Sequence, residues 1–207
     1  MPSNSAIRRL AFAFAASLAI AGCQSARVER PITRELGGND PGEQLEFWDR
    51  LADQPVTSND DAFHGLLMVL DGDDPAEDYD GRVRALRSRK MLPANFARPA
   101  EQAVDRGTLA VAIVRALKID GGLMLRLFGP HPRYAVRELV FMDLYPPSSP
   151  NQTFSGAEFL GIIGKIEDYQ RREGIVPRDV ELGVTPEPPP RVEPSPRPPA
   201  GAGPIPG

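Results

Sequence analysis

The sequence predicts a mainly α fold: a single small bundle of six or seven short helices, with room for one short hairpin, flanked by disordered segments. Three observations carry this. Polar caps at Ser58-Asn59-Asp60-Asp61, Asp105-Arg106-Gly107-Thr108 and Ser155-Gly156-Ala157-Glu158 each open onto a run with helical apolar spacing. Proline concentrates at the C-terminal end, where residues 185–207 hold ten of the chain's 23 and show no apolar period. The lone cysteine, Cys23, has no partner for an internal disulfide, so stability must come from packing, and 41% apolar residues suffice for one modest core.

Residues 1–22 have the layout of a secretory signal. MPSNSAIRR ends in two arginines, Leu10 to Ala21 is small and apolar, and Gly22 and then Cys23 follow. At about 1.5 Å per residue a helix over that apolar run reaches ~18 Å, short of the ~30 Å hydrocarbon core, so a permanent transmembrane helix is not expected. The quartet Ile20-Ala21-Gly22-Cys23 resembles the lipobox of bacterial lipoproteins. That resemblance implies a diacylglycerol on the Cys23 thiol, cleavage just before Cys23, and acylation of the new amine by a chain such as palmitate. One acyl chain holds a protein on a leaflet only marginally, whereas several hold it durably. Gln24 stands where an aspartate marks inner-membrane retention in many such proteins, which implies the outer membrane or the periplasmic face.

Removing Arg8 and Arg9 with the signal turns 24 basic against 28 acidic residues into 22 against 28, a net charge of −6. That balance disfavours a nucleic-acid partner and a broad electrostatic grip on anionic lipid.

Residues 23–39 lack sustained periodicity and read as an N-terminal tether. The helical domain then spans 40–175. Asp40-Pro41-Gly42-Glu43 supplies a capping carboxylate, a proline at the first helical position and a glutamate in the first turn, with Leu45, Trp48 and Leu51 on one face. Asp74-Pro75-Ala76-Glu77 repeats this grammar, with Tyr79, Val83, Leu86 and Lys90 behind it, giving an apolar stripe and an arginine-rich outer face opposite. The acids of residues 71–81 are no calcium loop: counting from Asp71, Pro75 takes the fifth position, Ala76 the glycine position and Arg82 the bidentate glutamate position. Gly121-Gly122 ends a helix, Leu123 to Phe128 fits strand or helix, and Tyr134, Val136, Leu139, Val140 and Asp143 mark a further helix ended by Pro146-Pro147. Residues 176–207 form a proline-rich disordered tail with polyproline II character, a spacer through the wall mesh or a ligand for a groove.

The caps Ser58, Asp105 and Ser155 lie 47 and 50 residues apart. Each is followed by apolar residues four, five and about eight positions on, as a repeated inward-facing helix requires. Residues 103–119, AVDRGTLAVAIVRALKI, resemble the helix opened by a Thr-Arg-Ala-Glu motif in S-layer homology repeats, and Ser155-Gly156-Ala157-Glu158 resembles the same motif. The second segment keeps the arginine without the acid, and the third the acid without the arginine. The resemblance implies helical modules that bind cell-wall polymers.

Catalytic signatures are sparse. His64 and His131 have no metal-ligand cluster around them, and neither a nucleophile elbow nor a Walker loop occurs. His64, inside an apolar helix, reads as a hydrogen-bonded core residue. Arg133, Tyr134 and Arg137 are the candidate ligand contacts, because arginines grip carboxylates and acidic glycans; otherwise they form an exposed face with Glu138 paired to an arginine. The leading expectation is a lipid-anchored envelope protein with a non-catalytic interaction domain, needing no cofactor and meeting membrane lipid through Cys23 and either a cell-wall polymer or an envelope protein. Two alternatives remain: a wall-glycan enzyme using Glu138 or Glu158 as acid, and an accessory subunit marked by an exposed apolar patch.

Overall fold

Each of the three capped runs begins a helix. Ser58 Oγ accepts from the Asp61 amide at 3.0 Å, Asp105 Oδ1 from Thr108 at 2.6 Å, and Ser155 Oγ from Glu158 at 3.2 Å. Glu158 returns a bond from the Ser155 amide at 3.0 Å and completes a capping box. Caps of this kind contribute about 1 kcal/mol each and fix where the chain turns inward.

The computed structural model describes residues 25–175; the expected signal, Cys23 and residues 176–207 lie outside the described residues. The helices are α1 (Thr33–Leu36), α2 (Pro41–Ala52), α3 (Asn59–Asp71), α4 (Tyr79–Ser88), α5 (Arg106–Ala116), α6 (Leu123–Phe128), α7 (Pro132–Phe141) and α8 (Gly156–Glu173). The fold is mainly α. Where a hairpin had room to form, the described residues hold three isolated antiparallel bridges, Arg27 with Gln102, Ser58 with Ala103 and Asp105 with Thr153.

Those bridges belong to a cyclic junction that joins the three caps. The residue after each cap donates its amide to the segment before the next: Asn59 to the Gln102 carbonyl at 2.8 Å, Arg106 to Gln152 at 2.8 Å, and Gly156 to Gln54 at 2.9 Å, which closes the ring. From this junction α3 packs on α4, α5 on α7, and α8 on α2, so the third pair joins the two ends of the described chain. The positions expected to face inward do so. Ala62, Phe63 and Leu66, then Leu109, Ala110 and Ile113, then Phe159 and Ile163 are buried, with Leu160 partly buried against them. Gly156 must be glycine, because a Cβ there would lie 1.5 Å from the Leu51 carbonyl oxygen of α2.

Several expectations shift. Residues 26–36, read as part of the tether, are built into the domain: Ala26 accepts from the Ala103 amide at 2.8 Å, Val28 donates to Glu101 at 2.9 Å, and Ile32 and Leu36 enter the core. One turn of helix carries only one i, i+4 apolar pair, too little to register as a period. The buried face of α2 is Phe47 and Leu51 with Trp48 beside them, while Leu45 points to solvent. The second Asp-Pro does not cap. Asp78 does, accepting from Gly81 at 2.7 Å, and α4 starts at Tyr79. Gly121-Gly122 does not terminate α5, which ends at Ala116 with Leu117 as its C-cap and left-handed Lys118 after it; Gly122 instead caps α6. The segment 123–128 is a helix, and α7 stops at Phe141, before the Pro146-Pro147 pair. No helix among the described residues is long and apolar enough to cross a membrane.

Candidate functional site

The helix α3 is buried from Asn59 to Val69 and carries three titratable side chains, Asp60, Asp61 and His64, into the interior. Each meets a partner there. Arg82 of α4 donates through Nε to Asp74 Oδ2 at 2.5 Å and through a terminal nitrogen to Asp60 Oδ1 at 2.7 Å; the same Asp74 oxygen lies 2.7 Å from His64 Nδ1. Asn39 brackets Asp74 through its backbone, accepting from the amide at 2.9 Å and donating to the carbonyl at 3.0 Å. Burial pushes the Asp74 carboxyl up, but the hydrogen bonds from His64 and Arg82 outweigh it and hold Asp74 below the usual carboxylate range. Burial also opposes the Arg82 charge, and the two carboxylates, Asp74 foremost, overcome that and raise its pKa. Asp61 goes the other way: burial raises it, although Ser58 and the Thr33 amide, 3.0 Å away, partly compensate. The cluster has no solvent opening for a substrate and joins α1, α3 and α4. His64 is the hydrogen-bonded core residue that its place in an apolar helix predicts.

Arg106 and Glu158, 52 residues apart in the chain, meet in space. Arg106 of the second segment donates to Glu158 of the third at 2.7 Å, donates through Nε to the Thr153 carbonyl at 3.0 Å, and lies 4.7 Å over the Phe154 ring. The Ser155 amide, then Arg106, hold the Glu158 carboxyl below its ordinary range. A general acid requires the opposite shift. Glu138 accepts from the Gly122 amide at 3.0 Å rather than pairing with an arginine among the described residues. Both carboxylates therefore serve backbone termini.

Open surface chemistry lies in two places. The first is a groove of about 680 Å³ between α4 and residues 96–101, onto which Arg34, Arg84, Arg87 and Arg98 converge. Tyr79, Val83, Phe96 and Pro99 give it an apolar floor. Tyr79 is fixed by donating to the Arg98 carbonyl at 2.8 Å and by stacking on Phe63 at 6.0 Å. Arg34 leans on Glu101 at 3.5 Å and Arg98 pairs with Asp105, while exposed Arg84 joins no ion pair among the described residues. Arg87 donates to the Phe96 carbonyl, and its buried Nε has no partner. Four guanidiniums stand against Asp80 and Glu101 of the rim and the Asp105 carboxylate that pairs with Arg98, which leaves the groove one positive charge in excess in an acidic chain. Arg84 and Arg87 belong to the arginine-rich outer face that the sequence predicts for α4, whereas Arg34 and Arg98 escape sequence reading because they lie far from it along the chain.

The second place is the outer face of α6 and α7. Leu123, Met124, Leu127 and Phe128 are 71%, 51%, 65% and 64% exposed, and Phe141 is 86% exposed. The candidate contacts Arg133, Tyr134 and Arg137 lie here, on α7. Tyr134 stacks on Phe128 at 5.8 Å, and Tyr134, Arg137 and Phe141 share a shallow pocket of about 280 Å³ with Leu123 and Met124. Tyr134 and Arg137 thus border an apolar surface, exposed Arg133 stands beside Tyr134 in the first turn of α7, and none of the three lines the arginine groove. Among the described residues, no three His, Cys, Asp or Glu side chains gather as metal ligands. Comparison with known families, curated proteins and solved structures finds no match to this chain.

Proposed function

We propose that the mature chain is a lipid-anchored protein of the bacterial envelope whose helical domain is a non-catalytic binding module, with the arginine groove taking an acidic cell-wall polymer. The convergence of Arg34, Arg84, Arg87 and Arg98 on an aromatic floor carries this reading. Guanidinium groups bind carboxylates and phosphates through paired, charge-assisted hydrogen bonds, and the half-buried Tyr79 offers apolar area to the backbone of such a polymer. The lipobox-like run ending at Cys23 supplies the address. A binding role also accords with Glu138 and Glu158, whose carboxylates are occupied by backbone amides and, for Glu158, by Arg106. An accessory role beside a protein partner would draw instead on the apolar face of α6 and α7.

The test is sedimentation with purified cell wall, using the mature chain from residue 23 carrying Cys23→Ser. The expected result is binding that weakens with salt and falls about tenfold or more in Arg34→Glu/Arg84→Glu, whose exposed side chains leave the fold intact. Equal sedimentation of wild type and the charge-reversed protein would refute the groove.

A further inference from the structure

A lipid on Cys23 would leave the domain almost no freedom to stand off the membrane. Ala26 is already bonded to Ala103, so only Gln24 and Ser25 separate the anchor from the fold. Three residue steps span about 10 Å at full extension. Some face of the domain must then lie at the headgroups.

Among the described residues one face has the chemistry for that position. In α6, residues 123, 124, 127 and 128 fall within about 140° of one another at 100° per residue, and all four are the exposed apolar ones. Leu125 alone turns inward, and Arg126 stands on the flank. Phe128 continues onto Tyr134, and Leu123 and Met124 continue onto Phe141, so the surface is unbroken across both helices. Five of the seven large apolar side chains exposed in the described residues lie on it; Leu45 and Ile175 are elsewhere. Its rim is cationic. Arg126, Arg133 and Arg137 are exposed and unpaired among the described residues, and residues 117–141 hold four basic side chains against Asp120 and Glu138, whereas the chain as a whole is acidic. An apolar face that sinks into the acyl boundary, edged by arginines that reach back to phosphate, is the pattern of an interfacial helix.

We infer that the α6–α7 face seats on the leaflet carrying the Cys23 acyl chains and forms a second, non-covalent membrane contact. The inference rests on the reading of Cys23 as the lipidated residue. It gives the domain one orientation: α6 and α7 lie in the headgroup layer, and Arg126, Arg133 and Arg137 meet anionic lipid phosphates.

The experiment measures vesicle partition of the mature chain carrying Cys23→Ser, so that no acyl chain contributes. The vesicles are of phosphatidylcholine alone or with phosphatidylglycerol. Binding is expected to both compositions and to be stronger to the anionic one. Leu127→Asp/Phe128→Asp is expected to lose about tenfold or more on either, and Arg126→Gln/Arg133→Gln/Arg137→Gln to lose the anionic preference alone. All these side chains are exposed, and an unchanged thermal melt confirms the fold. Absence of vesicle binding by the parent protein, or binding that ignores both variants, would overturn the inference. So would a result in which the variants lose an envelope protein partner but keep their vesicles. Intact mass reports the anchor separately, and wall sedimentation reports the groove, so each reading fails by its own measurement.

Discussion

Replacing Arg82 with methionine removes the cation between two buried carboxylates. Asp60 and Asp74 are almost wholly inaccessible, and Arg82 reaches them at 2.7 and 2.5 Å. His64 remains beside Asp74, but Asp60 loses its charge partner. Breaking a buried ion pair from one side costs about 3–5 kcal/mol, because the stranded charge keeps its desolvation penalty. For a domain of this size that corresponds to a fall in Tm of roughly 10 °C at pH 7. Acidity should narrow the gap. Asp74 is held below its unfolded value of 3.8 in the native protein, so its contribution is present above that pH and fades as pH falls through the lowered folded value. Without Arg82, the Asp74 carboxyl loses one of the two hydrogen bonds that hold it low, so it protonates more readily and the penalty for stranding it shrinks in acid. Urea denaturation of wild type and Arg82→Met at pH 7 and at about pH 3 measures both effects. A loss below about 1 kcal/mol at pH 7, or a loss that does not shrink at the acid pH, would refute the role of Arg82 as the counter-charge of the core.

Two further substitutions test the packing and its titration. Gly156→Ala drives a methyl into the Leu51 carbonyl and strains the Gly156 amide's bond to Gln54, so a loss of about 3 kcal/mol or more is expected in the same assay; a neutral result would mean that α2 and α8 are farther apart than described. Asp61→Asn keeps an acceptor for Thr33 and can donate to Ser58. Burial raises the folded pKa of Asp61 above 3.8, so its stabilising contribution is complete below about that pH and is lost as pH rises through the folded value. The variant should therefore gain on wild type between pH 4 and pH 7, and a constant difference in Tm across that range would contradict the assignment.

What the sequence made legible was local. Ser58, Asp105 and Ser155 cap helices through bonds that span three residues, and the apolar spacing behind each cap determines its inward face. The failures were non-local. Asp74-Pro75 carries the same local pattern as Asp40-Pro41, yet Arg82 and His64 recruit its carboxylate into the core, and the cap moves to Asp78. Ile32 and Leu36 make one buried pair on one turn, which no window can distinguish from a tether. Leu123 to Phe128 shows the converse: an apolar run is read as core by default, and only the fold reveals that four of its side chains face outward. Arg133, Tyr134 and Arg137 were found as a cluster, but their apolar neighbours on α6 give that cluster a different meaning. The arginine groove had half a local signal: the arginine-rich outer face of α4 was legible and holds Arg84 and Arg87, but Arg34 of α1 and Arg98 of the loop before α5 reach it only through the fold.

The central claim is an acylated Cys23 only two residues from a folded domain. Intact mass and membrane partition of the expressed chain, wild type against Cys23→Ala, test it most directly. The account predicts a wild-type protein that begins at Cys23, carries the added mass of its acyl chains and partitions with membrane, and a mutant that lacks the added mass and loses that stable attachment. A wild-type protein cleaved at another position, without acyl mass and recovered free of membrane, would contradict the anchor and the membrane orientation built on it.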